Sequence, residues 1–301
     1  MNVDVNQLRT PEFWQNFAPQ LHIADLSFFR NLQLLKLSPD ELETVAELMK
    51  VEGYFQAHFS SSPELSVNYA LLAQTVRSLV AANLSPVFAF LYDEFWVPFY
   101  KLHRIISTLL GGEYFFLPDF WVWNVDPAKG ERGWRPHRDK GRWALLPDGM
   151  PRSLTVWIPL SNATTLNGCV YIVPACDDPT YGTEEEADWR FEYSSIRALP
   201  ARPGEFFMWN QAVLHWGSKA SPRGGESRIS MAFEFQRADV QPPFNQPLMQ
   251  PLGIISFEER LKLVAKQILQ YKSMYQLEPE LQEFAESLIA VPTSGTVAIS
   301  E

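Results

Sequence analysis

Cysteine is nearly absent from this chain, with two in 301 residues. Two thiols cannot build a disulfide framework. Cys169 and Cys176 lie an odd number of positions apart in a strand-like stretch, so they would point to opposite faces and read as ordinary buried thiols. A Cys-ligated metal site is not expected. Long apolar runs are missing as well. The most apolar window, 80–100, is interrupted by Asn83, Asp93, Glu94 and Pro98, short of the about 18 uninterrupted apolar residues that a membrane span needs. Basic charge is scarce: 25 Lys and Arg against 35 Asp and Glu leave a net charge of −10, which repels phosphate backbones and anionic membrane surfaces. Met1-Asn2-Val3-Asp4 has neither a basic nor an apolar leader character. These absences predict a cytoplasmic protein with no nucleic-acid and no membrane partner, and leave a small molecule as the expected substrate.

Hydrophobic residues make up 46% of the chain, enough for a sizeable core. Residues 10–110 read as helical, with apolar positions three and four apart in 39–49 and 71–82, and Ser38-Pro39-Asp40-Glu41 supplies a helix start. After Gly111-Gly112 the texture changes to short β-branched and aromatic runs punctuated by Pro, Gly and Asn. Strands are expected at 116–125, 134–137, 153–160, 169–174, 196–200, 205–209, 213–215 and 228–236. Eight strands of this kind predict an all-β core, a double-stranded β-helix or cupin-like jelly roll, flanked by helices. Helical periodicity returns at 256–271 and 279–289, and a loose tail follows from Pro292. No internal repeat is present. The expected organisation is one domain over 1–301, with a helical N-terminal layer (1–110), the jelly-roll core (111–237), and C-terminal helices and tail (238–301). The aromatic run Phe88, Phe90, Tyr92, Phe95, Trp96, Phe99 and Tyr100 is expected to build core between helices and sheet rather than a substrate box.

Only five histidines occur. His137 stands two residues before Asp139, and in an extended segment residues two apart share a face, so an imidazole and a carboxylate can approach one ion together. His215, at the end of a later strand, supplies a third ligand. Two imidazoles and one carboxylate make the facial triad of non-heme Fe(II) oxygenases, which leaves positions open for cosubstrate and O2. His22, His58 and His103 have no partner motif and read as structural or surface residues. In the strand that begins at Arg228, alternation puts Arg228, Ser230, Ala232 and Glu234 on one face and Ile229, Met231, Phe233 and Phe235 on the other. A guanidinium and a hydroxyl on that polar face can grip the distal carboxylate of a keto acid such as 2-oxoglutarate, unless Arg228 is merely a surface residue on an edge strand.

From about Phe120 to Gln236 the chain resembles the phytanoyl-CoA dioxygenase-like Fe(II)/2-oxoglutarate oxygenases. The resemblance is carried by His137-Arg138-Asp139, Thr155-Val156-Trp157-Ile158-Pro159-Leu160, Asn167-Gly168-Cys169, Pro203-Gly204-Glu205 and the stretch from His215 to Ser230. It implies Fe(II) on His137, Asp139 and His215, with 2-oxoglutarate and O2 as cosubstrates. Succinate and CO2 would be released as a small organic substrate is hydroxylated or desaturated. The carboxylate of Asp139 argues against halogenation, since halogenating relatives carry a small residue there. Asn124 and Trp157, with Thr155 on the same strand face, match positions that contact the cosubstrate in relatives. Asn124 could instead be a turn residue before Asp126-Pro127, and Trp157 a core aromatic.

The loop Lys140-Gly141-Arg142-Trp143 forms part of the substrate pocket in relatives, so Trp143 is a candidate wall and Arg138 or Arg142 a candidate partner for an anionic group. The alternative is a solvated charged loop. The acidic loop 177–189, with Glu184-Glu185-Glu186, is either a lid or a solvated surface. One departure from the family stands out: the position two after the distal histidine, often Ser, is Gly217. Two other readings use the same scaffold, a cupin-like metal dioxygenase that does not use 2-oxoglutarate and a non-catalytic jelly-roll binding module.

Overall fold

The computed structural model describes residues 4–30, 32–58, 67–242, 248–274 and 277–289. Its helices are α1 (Pro11–Phe17), α2 (Leu26–Phe29), α3 (Pro39–Val51), α4 (Tyr69–Ala81), α5 (Val97–Lys101), α6 (His103–Leu109), α7 (Phe257–Gln270) and α8 (Pro279–Ile289). Its strands are β1 (Tyr54–His58), β2 (Tyr114–Val125), β3 (Ser153–Pro159), β4 (Val170–Ile172), β5 (Arg197–Leu199), β6 (Glu205–Asn210), β7 (His215–Gly217) and β8 (Arg228–Arg237). Ser38 starts α3 with a full capping box, its hydroxyl accepting from Glu41 N–H while the Glu41 carboxylate takes the Ser38 N–H at 2.7 Å. Ser256 and Glu259 repeat the device at α7.

The strands form two antiparallel sheets that face each other, a five-stranded one in the order β1-β6-β3-β8-β2 and a three-stranded one in the order β5-β4-β7. Helices cover the outer face of the larger sheet. Strand β8 shows how the layers arise. Ile229, Met231, Phe233 and Phe235 enter the large core shared with the helices, while Ala232, on the alternate face, packs in a second cluster between the sheets. Phe88, Phe90, Phe95, Trp96 and Phe99 are all buried in the large core, and the Phe90 ring lies 4.5 Å from Phe120, which stacks on Phe233 at 4.9 Å. The aromatic run is therefore core, as its spacing implies, each ring contributing about 1.5–3 kcal/mol on burial.

Three local expectations are corrected. The helical layer contributes a strand: β1 pairs with β6 and extends the larger sheet. Residues 134–137 are not a strand; only His137 bridges to His215. Cys176 is exposed, because β4 ends at Ile172 and a 3-10 turn at Ala175–Asp177 carries it outward, whereas Cys169 is buried. The tail expected from Pro292 lies outside the described residues. No helix among the described residues is long and apolar enough to cross a membrane.

Candidate metal centre

The segment that follows Pro136 runs alongside the turn into β7. His137 N–H donates to His215 C=O and His215 N–H returns the bond, both at 3.0 Å, while Lys140 and Gly141 N–H donate to Gln211 C=O. This pairing brings His137, Asp139 and His215 together, with one potential ligand atom from each, all within 4.8 Å of one another. Asp139 Oδ1 lies 3.3 Å from His137 Nε2 and 3.5 Å from His215 Nε2.

The other atoms of these side chains are committed elsewhere. His137 Nδ1 meets Arg135 C=O at 2.7 Å, and His215 Nδ1 meets Val213 C=O at 3.0 Å. A carbonyl can only accept, so each Nδ1 carries a proton and each Nε2 is the nitrogen left to face a metal, with a lone pair there in the neutral imidazole. Asp139 Oδ2 accepts from Thr155 Oγ1 at 2.7 Å and from Trp209 Nε1 at 2.9 Å, which fixes the plane of the carboxylate and leaves Oδ1 toward the imidazoles. Gln211 Nε2 in turn donates to Thr155 Oγ1 at 3.1 Å.

The two imidazoles differ in their electrostatics. Burial pushes His215 down to about 4, which keeps it neutral. Burial acts the same way on His137, but the Asp139 carboxylate more than offsets it. For Asp139 itself burial is outweighed by the two imidazoles and the Thr155 hydroxyl, and its pKa falls far below the usual carboxylate range. His137 Nε2 is buried with no hydrogen-bond partner. An orphaned imidazole nitrogen facing a carboxylate and a second imidazole suits a divalent cation, and the neutral-imidazole and carboxylate set matches Fe(II).

Across the same cavity lies Arg228, 2% exposed. Its Nε donates to Gly168 C=O at 3.0 Å and Nη1 to the Ser230 hydroxyl, and no carboxylate pairs with it among the described residues. Desolvation without a counter-charge pushes its pKa down to about 10. The Trp157 ring lies 5.8 Å from the guanidinium carbon. Space beside the guanidinium is kept by Gly133 and Gly217. A Cβ on Gly133 would sit 2.7 Å from Gly217 Cα and 3.0 Å from Arg228 Nη2. Gly217 thus stands where relatives often have Ser because its backbone touches Gly133.

Trp157, Arg228 and Ser230 therefore sit together on the inner face, while Arg138, Arg142 and Trp143 lie outside the cavity and its opening. Asn124 pairs with Ile229 on β8, while Trp123, opposite Ser230, occupies the inner face; Asn124 still borders the wide opening that His137 and Asp139 share. Arg138 is locked in the protein, its guanidinium bonded to Asp178 at 2.7 Å and to Ala212 C=O at 2.7 Å. Arg142 is exposed and pairs with Glu184 at 3.0 Å, and Trp143 lines a separate surface depression with Tyr181 and Gly182. The loop 177–189 is pinned to this segment by Asp178 and Glu186 and does not line the metal cavity. Thr155 lies at the site, but its hydroxyl serves Asp139.

Sequence reasoning missed Trp209 and Gln211, which hold Asp139 and Thr155, and it missed a polar group at the other end of the cavity. There Asp119, Lys140, Glu234 and Tyr271 converge. Pro118 inside a strand pattern was the available signal. The register of β2 against β8 shifts between Leu117 and Phe120, and the bulge places Asp119 at the cavity. Burial and the Asp119 carboxylate together raise Glu234 to about 8.

Comparison with known proteins places these features in a family. The profile of the family described as Phytanoyl-CoA dioxygenase (PhyH) matches residues 37–225. The fold is similar to that of the epimerase SnoN, solved with Fe3+, alpha ketoglutarate and nogalamycin RO (TM-score 0.51, 17% identity, 73% of this chain and 96% of that one). It is also similar to AviO1 from Streptomyces viridochromogenes Tue57 (TM-score 0.54, 14% identity, 70% and 100%). A third likeness is to the non-heme monooxygenase ThoJ in its Ni complex (TM-score 0.53, 13% identity, 81% and 100%). No curated protein matches the chain in sequence.

Proposed function

Because the chain belongs to the phytanoyl-CoA dioxygenase family of Fe(II)/2-oxoglutarate oxygenases, we propose that it hydroxylates or desaturates a small organic substrate, consuming 2-oxoglutarate and O2 and releasing succinate and CO2. The observation that carries this reading is the pairing of two opposite sites in one cavity: the orphaned donor set of His137, Asp139 and His215, and the buried, uncompensated guanidinium of Arg228. An isolated buried cation costs several kcal/mol, and a dicarboxylate whose far end reaches it removes that penalty. A dioxygenase that dispenses with the keto acid has no use for such a group.

Iron held by His137, Asp139 and His215 would supply the redox chemistry that activates O2 against a substrate C–H bond. The protein's own residues do the rest. Thr155 and Trp209 orient Asp139, and the Arg135 and Val213 carbonyls fix the tautomer of each imidazole. Arg228 and Ser230 would hold the distal carboxylate and Trp157 would wall it, while Gly133 and Gly217 keep the approach open. Asp139 fills a ligand position with carboxylate, which favours C–H oxidation over halide transfer.

The test is succinate formation from 2-oxoglutarate in the presence of Fe(II) and a panel of metabolites, with mass detection of a substrate gain of oxygen or loss of two hydrogens. Release that depends on Fe(II) and is abolished in His137→Ala supports the assignment. Product formation with iron but independent of 2-oxoglutarate contradicts it.

A further inference from the structure

Beyond the metal ligands the cavity widens into an opening of about 1340 Å³, lined by His137 and Asp139 but not by Arg228. Residues 131–136 form one side of it, and that segment is fixed in place. Gly217 N–H donates to Trp134 C=O at 3.0 Å, Ala220 N–H donates to Glu131 C=O at 2.8 Å, and Arg132 forms a β-bridge with Lys219. Two arginines of the segment, Arg132 and Arg135, line the opening and are exposed. Neither has an ion-pair partner among the described residues, and the residue directly opposite Arg132 is a second cation, Lys219, rather than an acid. Like charges placed directly opposite each other destabilise a strand pair, and an anion bound beside them relieves that repulsion.

The charges along the opening do not cancel. Of its acids, Asp139 is a metal ligand, and Glu131 accepts from Asp126 N–H at 2.8 Å with the Lys129 ammonium 3.9 Å away. Asp119 and Glu234 face Lys140 at 3.6 and 3.0 Å, with the Lys266 ammonium beside them. Two ammonium groups against two carboxylates sum to zero, and to one positive charge once Glu234 holds a proton, as its raised pKa favours at neutral pH. In neither state does this inner group add negative charge. Glu278, exposed just before α8, is the one lining acid with no cation beside it among the described residues. Two unpaired arginines against one unpaired carboxylate leave the opening positive on a chain whose net charge is −10. A local field of that sign draws anions in. Apolar surface leads from the arginines to the metal ligands: the half-buried Trp134 ring lies 5.7 Å from that of His137 and 5.0 Å from that of Trp123, and Met274 and Leu277 line the same opening.

Resting on the oxygenase reading above, we propose that the substrate is an amphipathic anion, its carboxylate or phosphate group held at the rim by Arg132 and Arg135 and its apolar body lying over Trp134 toward the metal. A guanidinium takes either anion through the same paired N–H donors. This contact is separate from that of the keto acid, whose far carboxylate belongs to Arg228.

The test is an anaerobic calorimetric titration of the protein loaded with Fe(II) and saturating 2-oxoglutarate, so that the Arg228 site is filled. Three probes with one body are compared: octanoate, octyl phosphate and octyltrimethylammonium. Saturable binding of octanoate or octyl phosphate is expected, about tenfold or more tighter than that of the ammonium and weakening as salt is raised. Whichever anion binds more tightly identifies the head group. In the double variant Arg132→Gln/Arg135→Gln the anion's affinity should fall about fivefold or more, the scale of two exposed ion pairs. The iron–keto acid absorption band reports whether the variant's metal site is assembled, and the two single variants serve if the double one fails to fold. Binding of the ammonium as tightly as both anions overturns the proposal. So does an anion affinity unchanged in the variants, or no binding of either anion while the absorption band is intact. Absence of that band in the wild type would instead defeat the oxygenase reading.

Discussion

Gly133 and Gly217 meet backbone to backbone beside the guanidinium of Arg228: a Cβ on Gly217 would lie 2.6 Å from Gly133 Cα. The contact joins the loop before His137 to β7, the strand that begins at His215. Restoring the family's frequent serine at this position therefore pushes the two ligand-bearing segments apart. Gly217→Ser is expected to destabilise the fold by about 1–3 kcal/mol, the range for overpacking, and to weaken 2-oxoglutarate binding. Denaturant unfolding together with calorimetric titration of the keto acid measures both, and an unchanged affinity would place the cosubstrate elsewhere.

Removing the guanidinium should separate stability from binding. In the protein without cosubstrate, Arg228 is a buried cation with no acid partner, so Arg228→Met should leave the melting temperature no lower than that of the wild type. The same change should reduce 2-oxoglutarate affinity about 30-fold or more, the usual loss when one partner of a buried charge pair is truncated, ~2–5 kcal/mol. A variant that binds the keto acid normally contradicts the assigned role.

Trp209 acts on the metal through Asp139. Trp209→Phe keeps a ring but deletes the donor to Asp139 Oδ2, and metal affinity should fall about 10- to 100-fold, as it does when a ligand loses its orienting partner. Co(II) titration followed by absorption reads this directly. Thr155→Val, which removes the other donor to the same oxygen, should behave alike, and an affinity unchanged in both would show that Asp139 needs no orientation.

The two cysteines should separate in reactivity. Burial pushes the Cys169 thiol up to about 11, whereas Cys176 is exposed. One thiol per chain is expected to react rapidly with a disulfide reagent at pH 8, and the second only on unfolding. The linkage sign follows from the raised folded value. Cys169 does not weaken folding below the unfolded value of 9.0, and it progressively does so as pH rises from there toward the folded value. Two rapidly reacting thiols would contradict the placement of Cys169.

Much of this was legible in the sequence, for identifiable reasons. The alternation of Arg228 to Phe235 has the strand period, so both faces of β8 are legible from residue types alone. The capping box at Ser38 is a local signal, and α3 begins there. The strand face of Asn124 was not legible, because a spacing to His137 says nothing about pleat parity; it pairs with Ile229, across the sheet from Arg228. The Arg138–Asp178 pair was not legible because its partners lie 40 residues apart, a separation that no local pattern encodes. Strand β1 was hidden because Tyr54-Phe55-Gln56-Ala57-His58 has no β-branched residue and follows directly on α3. The packing of Trp121 and Trp134 on Tyr271 joins three distant segments, and only the tertiary fold reveals it.

The most direct test of the central claim is an anaerobic titration of the wild-type protein with Fe(II) and 2-oxoglutarate, followed by visible absorption. A weak metal-to-keto-acid charge-transfer band is expected, saturating at one equivalent of iron and vanishing in His137→Ala and in Arg228→Met at low keto acid concentration. A wild-type protein that binds Fe(II) yet gives no band at any 2-oxoglutarate concentration would contradict it.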